Sequence, residues 1–357
     1  MKNLYLKNIL SIACILAAQA LMAGNPDRAG QAGAPDLLMN PWARGAGMMG
    51  VNTAFAHGIE AERLNIAGLA FTTSTDVYFG RTQWLKGTDI NINALGIGQR
   101  ISESSVIGIS LMSTSLGSIQ TTTTDDPDAV LGGSFSPTYT NIGLSYAHTF
   151  SNSITGGVTV RLVNESISNV SASGIALDAG INYVTGEDGR IKFGIALRNV
   201  GTPIKYEGDG LAARVKIEGD NIILTAAQRS AEFELPSLMN IGASYDFILG
   251  ENSKLTAMTN FTSNSFTRDR VGVGAELNIQ KLFLLRAGYN LETGGTTTSG
   301  SASGSNAFMP FAAGASVNLP FGENGTKLSL DYSYRPTVIF GGTHSIGLRI
   351  LLCMQKY

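Results

Sequence analysis

Charge is what this sequence lacks most. Asp, Glu, Lys and Arg make up 15% of its 357 residues, where an ordinary soluble domain carries about 25%. The few charges nearly balance, 25 cations against 27 anions, and no basic patch stands out, so nucleic-acid binding is not expected. Cysteine is almost missing, with only Cys14 and Cys353. Cys14 lies in a leader expected to be removed, which leaves one thiol and excludes both an intramolecular disulfide and a Cys-based metal cluster. Long apolar runs are also missing: nothing after residue 30 approaches the ~20 residues of a spanning helix. Yet 43% of the chain is hydrophobic. The apolar surface must therefore be distributed by pattern.

The leader is residues 1–23. "MKNLYLKNILSIACILAAQALMAG" carries Lys2 and Lys7, then an apolar run from Ile9 to Ala18, then small residues at Ala20 and Ala23. Positive start, short apolar middle and small-residue end are the parts of a cleaved secretory signal. A lipid-modified Cys14 is rejected, because "SIAC" sits inside the apolar run. With Lys2 and Lys7 removed, 23 cations face 27 anions.

From about residue 75 the chain reads in twos. "KLSLDYSYR" puts Leu328, Leu330, Tyr332 and Tyr334 on one face and Ser329, Asp331, Ser333 and Arg335 on the other. "RVGVGAELNIQ", "MNIGASYDF" and "RIKFGIALRN" repeat the alternation. It marks strands with one apolar and one polar face. About fourteen such segments begin near 76, 89, 105, 139, 154, 173, 190, 237, 254, 270, 282, 308, 326 and 343. Their length suits a bilayer, which a tilted strand of about 9–11 residues crosses, whereas strands of a soluble sandwich most often have about 5–6. An open sheet edge in lipid would leave backbone groups unpaired, so the sheet must close. The expected fold is all-β: an outer-membrane barrel of about fourteen antiparallel strands over residues 75–357, in contact with lipid.

The connections agree. Every second one is short and turn-like ("SES", "SNS", "TGEDG", "LGENS", "IQK", "PFGENGT"), while the long ones, 117–137, 200–236 and 291–307, all fall in the other class. Long loops outside and short turns inside is the asymmetry of outer-membrane barrels.

Residues 24–74 do not alternate. They are rich in Gly and Ala and apolar enough to pack, and a fourteen-stranded barrel has a lumen to fill, so they are expected to form a hatch inside it. This segment contains "GAGMMG", residues 45–50, which fits the spacing of a dinucleotide-binding turn. Such a turn must follow a parallel strand and open a helix; here it follows "LLMNPWAR" and leads into an exported barrel. Gly45, Gly47 and Gly50 are better read as close-packing points. Trp42 and Arg44 are expected to anchor the hatch, with Arg44 reaching a lumen acid such as Asp246, Glu276 or Asp331.

Here the chain resembles a family. "ARGAGMMGVNTAF" followed by "NIAGLAF" is similar to the opening of FadL-like outer-membrane proteins. Asn65, Ala67, Gly68 and Leu69 match that pattern, with Ile66 where the family usually has Pro. "WLKGTDININ", "FGIALRNVGTPIKY", "LPSLMNIGASYDF", "LFLLRAGYN" and "GGTHSIGLRI" resemble the PorV/PorQ branch in order and spacing. The resemblance implies a role in type IX secretion: binding the C-terminal signal domain of exported cargo at the translocon and passing it to the attachment machinery. The alternative it leaves is a FadL-like importer of hydrophobic small molecules, against which the polar inward faces count. One departure is the end, where Tyr357 is out of phase with Ile346–Leu352.

No residue set looks catalytic, and no cofactor or metal is expected. His148 shares a face with Ile142, Leu144 and Tyr146 near a strand end, which suits an interfacial histidine, and its own strand offers it no partner on that face. Asp125, Asp126 and Asp128 in "TTTTDDPDA" have incomplete spacing for calcium. The connection 200–236 differs, because it mixes charge with Tyr206, Leu211, Val215, Ile217, Ile222, Ile223 and Leu224, and "ARVKIEGDNIILTA" reads as an external hairpin. Apolar residues outside the bilayer seek a partner, and this is the expected protein-docking surface.

Overall fold

The computed structural model describes residues 24–130, 132–216, 223–293, 308–321 and 325–352. The leader 1–23, Ile217, Ile222, most of the 291–307 loop and the terminal residues through Tyr357 lie outside that set.

Among the described residues fourteen strands close into one antiparallel barrel. They are Thr75–Gln83, Asn91–Arg100, Ser105–Ser115, Thr138–Thr149, Ile154–Ile167, Val170–Thr185, Ile191–Gly201, Leu238–Gly250, Ser253–Asn264, Arg270–Ile279, Phe283–Glu292, Phe311–Phe321, Thr326–Arg335 and Thr343–Leu352. Each starts within three residues of the position expected from the alternation. Neighbours in sequence pair antiparallel, and the first strand pairs with the last from Thr75↔Leu352 to Gln83↔His344. Closure leaves no edge, the condition for a sheet in lipid.

The period of two sorts side chains as the barrel requires. Leu95, Ile97, Ile107, Ile109, Leu111, Leu144, Val158, Val160 and Leu162 point outward and form part of an apolar band. Asn141, Arg161, Asp178, Glu276, Arg286, Asp331 and Arg349 point inward and are buried. One irregularity matters. Pairing between Val170–Thr185 and Ile191–Gly201 slips at Asp178, and Asn199 takes a left-handed φ of 58°. This is a bulge, which re-aims side chains locally: Arg198 and Asn199 both end up buried.

The lumen is filled by residues 24–74. Short helical turns run through them: Pro26–Arg28, Pro35–Leu38, Ala43–Ala46, Gly58–Arg63 and Ile66–Phe71. Asn65 starts the last of these, its side-chain oxygen accepting from the Ala67 amide at 3.2 Å. Almost every residue from 51 to 70 is buried. Trp42 stacks on Tyr78 of the first strand, centroids 4.8 Å apart, within an apolar cluster that includes Ile59, Ile66, Leu69 and Ile92.

Among the described residues three small pairings add to the fourteen strands. Ile119–Gln120 pairs with Ser134–Phe135 and Ala212–Lys216 with Ile223–Ala227, while Ile204–Glu207 pairs with Glu232–Phe233 and also with the upper part of Val170–Thr185.

Candidate functional site

Three regions carry the chemistry: the ion pairs that hold the hatch, the cavity above it at the loop end, and the hairpin outside.

The first centres on Glu60 of the hatch. Arg349 makes two hydrogen bonds to Asp76, at 2.8 and 2.9 Å, donates to the His57 carbonyl at 2.7 Å and stands 3.7 Å from Glu60. Asp76 also accepts from the Ile59 amide at 2.8 Å. Arg44 grips Glu276 with two hydrogen bonds, at 2.7 and 3.1 Å, and lies 3.8 Å from Glu60. Arg286 extends the chain from Glu276 to Asp331, and Asp331 accepts from the Tyr78 hydroxyl at 2.8 Å. Burial alone would pull the Arg44 guanidinium down, but Glu276 and Glu60 hold it above its ordinary value. Burial, with Arg44 and Arg349 nearby, holds His57 well below the usual imidazole range. A second cluster has Arg161 between Glu62 at 2.9 Å and Asp178 at 3.0 Å, with Ser110 donating to Glu62.

Arg44 thus takes Glu276; Asp331 is reached through Arg286, and Asp246 is held by Lys192, Lys254 and Thr256. The glycines divide by role. A side chain on Gly47 would press on Ser333 and Gly314 of the wall, whereas one on Gly45 would strike Asn40 inside the hatch. Gly50 sits at φ +72° in a left-handed turn. The wall answers with glycines of its own. A side chain on Gly96 would come within 2.6 Å of Ile59, one on Gly194 within 2.8 Å of Asn65, and one on Gly274 within 2.5 Å of Val51. Asn65 hydrogen-bonds the Ile181 carbonyl and Asn182. Ala67 and Leu69 are fully buried, and Gly68 packs against Ala56 and Ala61. Ile66 packs in the Trp42 cluster.

Above the hatch, where the long loops leave the barrel, lies a cavity of about 120 Å³. Arg63, Arg198, Arg270 and Arg335 line it, together with Asn40 and Trp84. Arg335 lies over the Phe308 ring, 3.8 Å from its centroid, and Phe308 packs edge-on against Trp84.

The 200–236 connection is two things. Its base packs onto the protein: Ile204 is fully buried with Ala34, Leu37 and Leu235, and Tyr206 contacts Phe233 and hydrogen-bonds Glu165. Tyr206 is therefore committed to the protein itself, and Leu211 is half-buried. Beyond it, every residue of Ala212–Lys216 and Ile223–Ala227 is exposed. Val215 pairs across from Leu224, and Ala213 from Ala226; alternation puts these four on one face. Ile223, 64% exposed, is on the other.

His148 faces outward. Its own strand does offer it a partner, the Tyr146 hydroxyl 3.4 Å from its Nδ1, and the neighbouring strand offers a closer one: Ser105 Oγ lies 2.9 Å from that Nδ1 and 3.0 Å from the Tyr146 hydroxyl. Single-strand reasoning could not see that pairing. Among the described residues Asp125, Asp126 and Asp128 form no group that converges on a metal ion.

The fold has known counterparts. The CymD monoaromatic hydrocarbon channel is 14% identical, with a TM-score of 0.53, and the alignment covers 88% of this chain and 97% of that one. The Ralstonia pickettii toluene transporter TbuX is 12% identical, with a TM-score of 0.51, over 84% of this chain and 94% of that one. At such identities the likeness is one of fold. No curated protein matches the sequence. A family model described as type IX secretion system protein PorV matches residues 23–266.

Proposed function

The chain belongs to the PorV family of type IX secretion system proteins, an outer-membrane barrel of that system, and on that premise we propose that it binds exported cargo through its external loops and hands it on without doing chemistry. The observation that carries this reading is the strand pair Ala212–Lys216 and Ile223–Ala227. Among the described residues these strands pair only with each other, and they expose Val215, Ile223 and Leu224 to solvent. Apolar side chains held out on such a pair are suited to a protein partner. Such a partner is the C-terminal signal domain of a secreted protein or a translocon subunit.

Import of a hydrophobic small molecule, in the manner the names of the two structural counterparts suggest, is favoured by the shared fold. It is opposed by the lumen, where paired ions and a packed hatch occupy the space an apolar passage would need.

The test is deletion of residues 207–233 from the full-length protein in its own cells. Loss of cargo release with the barrel still in the outer membrane supports the docking role. Unchanged release overturns it. Uptake of a long-chain or aromatic hydrophobe that depends on this barrel would transfer the role to import.

A further inference from the structure

We infer that the loop-end cavity is an anion-binding site that takes one carboxylate- or phosphate-like group between Arg335, Arg198 and Arg63. The charge count in its wall leads there. Among the described residues four arginines line it and no carboxylate does. The acids nearest in sequence or space are engaged elsewhere: Glu62 with Arg161 and Ser110, Asp36 with Asn141, Asp178 with Arg161 and the Asn199 amide. Among the described residues Arg270 is the lining arginine with an acid within 4 Å, Glu292 at 3.8 Å, while Glu62 and Asp36 reach Arg63, and Asp178 and Glu62 reach Arg198, only at longer range.

The hydrogen-bond count points the same way. Among the described residues five buried side-chain atoms of the lining have no hydrogen-bond partner: Arg63 Nη1, Arg198 Nε, Arg270 Nε, Arg335 Nε and Asn40 Nδ2. All five are donors. A generally polar pocket would leave acceptors unpaired as well. Arg63 is only 3% exposed and Arg198 8%, so neither is a solvated surface charge. Burial, with Arg161 close by, brings the Arg63 guanidinium down to about 9. A buried cation with no ion-pair partner in contact is costly, and an incoming anion reduces that cost. Fork-shaped guanidinium groups match the planar oxygens of a carboxylate or the tetrahedral ones of a phosphate. The volume holds several waters or one such group, not a drug-sized ligand.

Two sources offer that chemistry: the free α-carboxylate of a polypeptide end, and a small inorganic oxyanion. The experiment separates them. The purified full-length barrel in detergent micelles is titrated by calorimetry with inorganic phosphate, with acetyl-triglycine as the free acid, and with its C-terminal amide. Saturable binding of the acid or of phosphate, at least tenfold tighter than the amide, supports the site, and the tighter of the two names the source. In Arg335→Gln, which removes no ion pair and so leaves the barrel folded, that binding weakens about tenfold; Arg198→Gln together with Arg335→Gln abolishes it. Folding of each variant is checked by heat-dependent gel migration. The same anion raises the unfolding temperature of the natural protein and not of the double variant. Absence of saturable binding by both anions, equal binding of acid and amide, or unchanged affinity in Arg335→Gln overturns the inference.

Discussion

The two ends of the lumen treat charge in opposite ways. Around Glu60, three arginines (Arg44, Arg286, Arg349) meet four carboxylates (Glu60, Asp76, Glu276, Asp331), and the pairs interlock from wall to hatch and back. At the loop end, among the described residues, four arginines share a cavity that no carboxylate lines. Charges are costly to bury unless paired, so the first arrangement is a joint, and the second leaves its positive charge to an incoming anion. The contrast separates what holds the hatch in place from what the barrel offers to its surroundings.

Breaking the joint has the largest expected effect. Arg349→Ala strands Asp76 and Glu60 in the lumen and should cost about 3–5 kcal/mol, measured by urea unfolding in micelles; Arg349→Lys should recover only part, because it cannot make both hydrogen bonds to Asp76. Next is the steric fit. Gly96→Val presses on Ile59 and Trp42 and should cost about 1–3 kcal/mol, visible as a lower unfolding midpoint and faster protease nicking of the hatch.

The pH dependence sharpens the same side. His57 is held neutral, with its folded value below the unfolded one near 6.5. Its contribution is therefore complete above that pH and is lost as pH falls below it, because the unfolded chain takes up the proton more readily. Between pH 7 and pH 5 the loss should be on the order of 1 kcal/mol, and His57→Gln should flatten that slope. At the loop end the effects shrink. Without added anion, Arg335→Gln should change stability by no more than about 0.5 kcal/mol, toward stabilisation, the reverse of Arg349→Ala in sign. A destabilisation of several kcal/mol there would erase the contrast.

The barrel was legible because lipid outside and polar lumen inside impose a period of two on every strand, and the short turns fall between strands as required. The hatch was legible as a segment without that period, and Arg44 to Glu276 as a cation near polar-face acids. The partners Arg349, Arg286 and Arg161 were missed, although the signal was present: a charge in polar phase near the middle of a lipid-spanning strand must be paired. Wall glycines such as Gly96, Gly194 and Gly274 were also readable in principle, since small residues on an inward face mark where another backbone approaches. Tyr206 could not be read correctly, because its partners Glu165 and Phe233 come from distant parts of the chain. The same holds for Asn199, whose burial out of phase depends on a bulge that alternation alone does not announce.

Arg349 has a consequence for assembly. It lies on the strand that closes the barrel, yet its partners Asp76 and Glu60 belong to the first strand and the hatch. The latch of the hatch is thus carried by the strand that closes the barrel. A chain that stalls before its final strand lacks both the seam and the latch at once. Finishing the wall and locking the hatch are a single event, so an incomplete barrel is also an unlocked one.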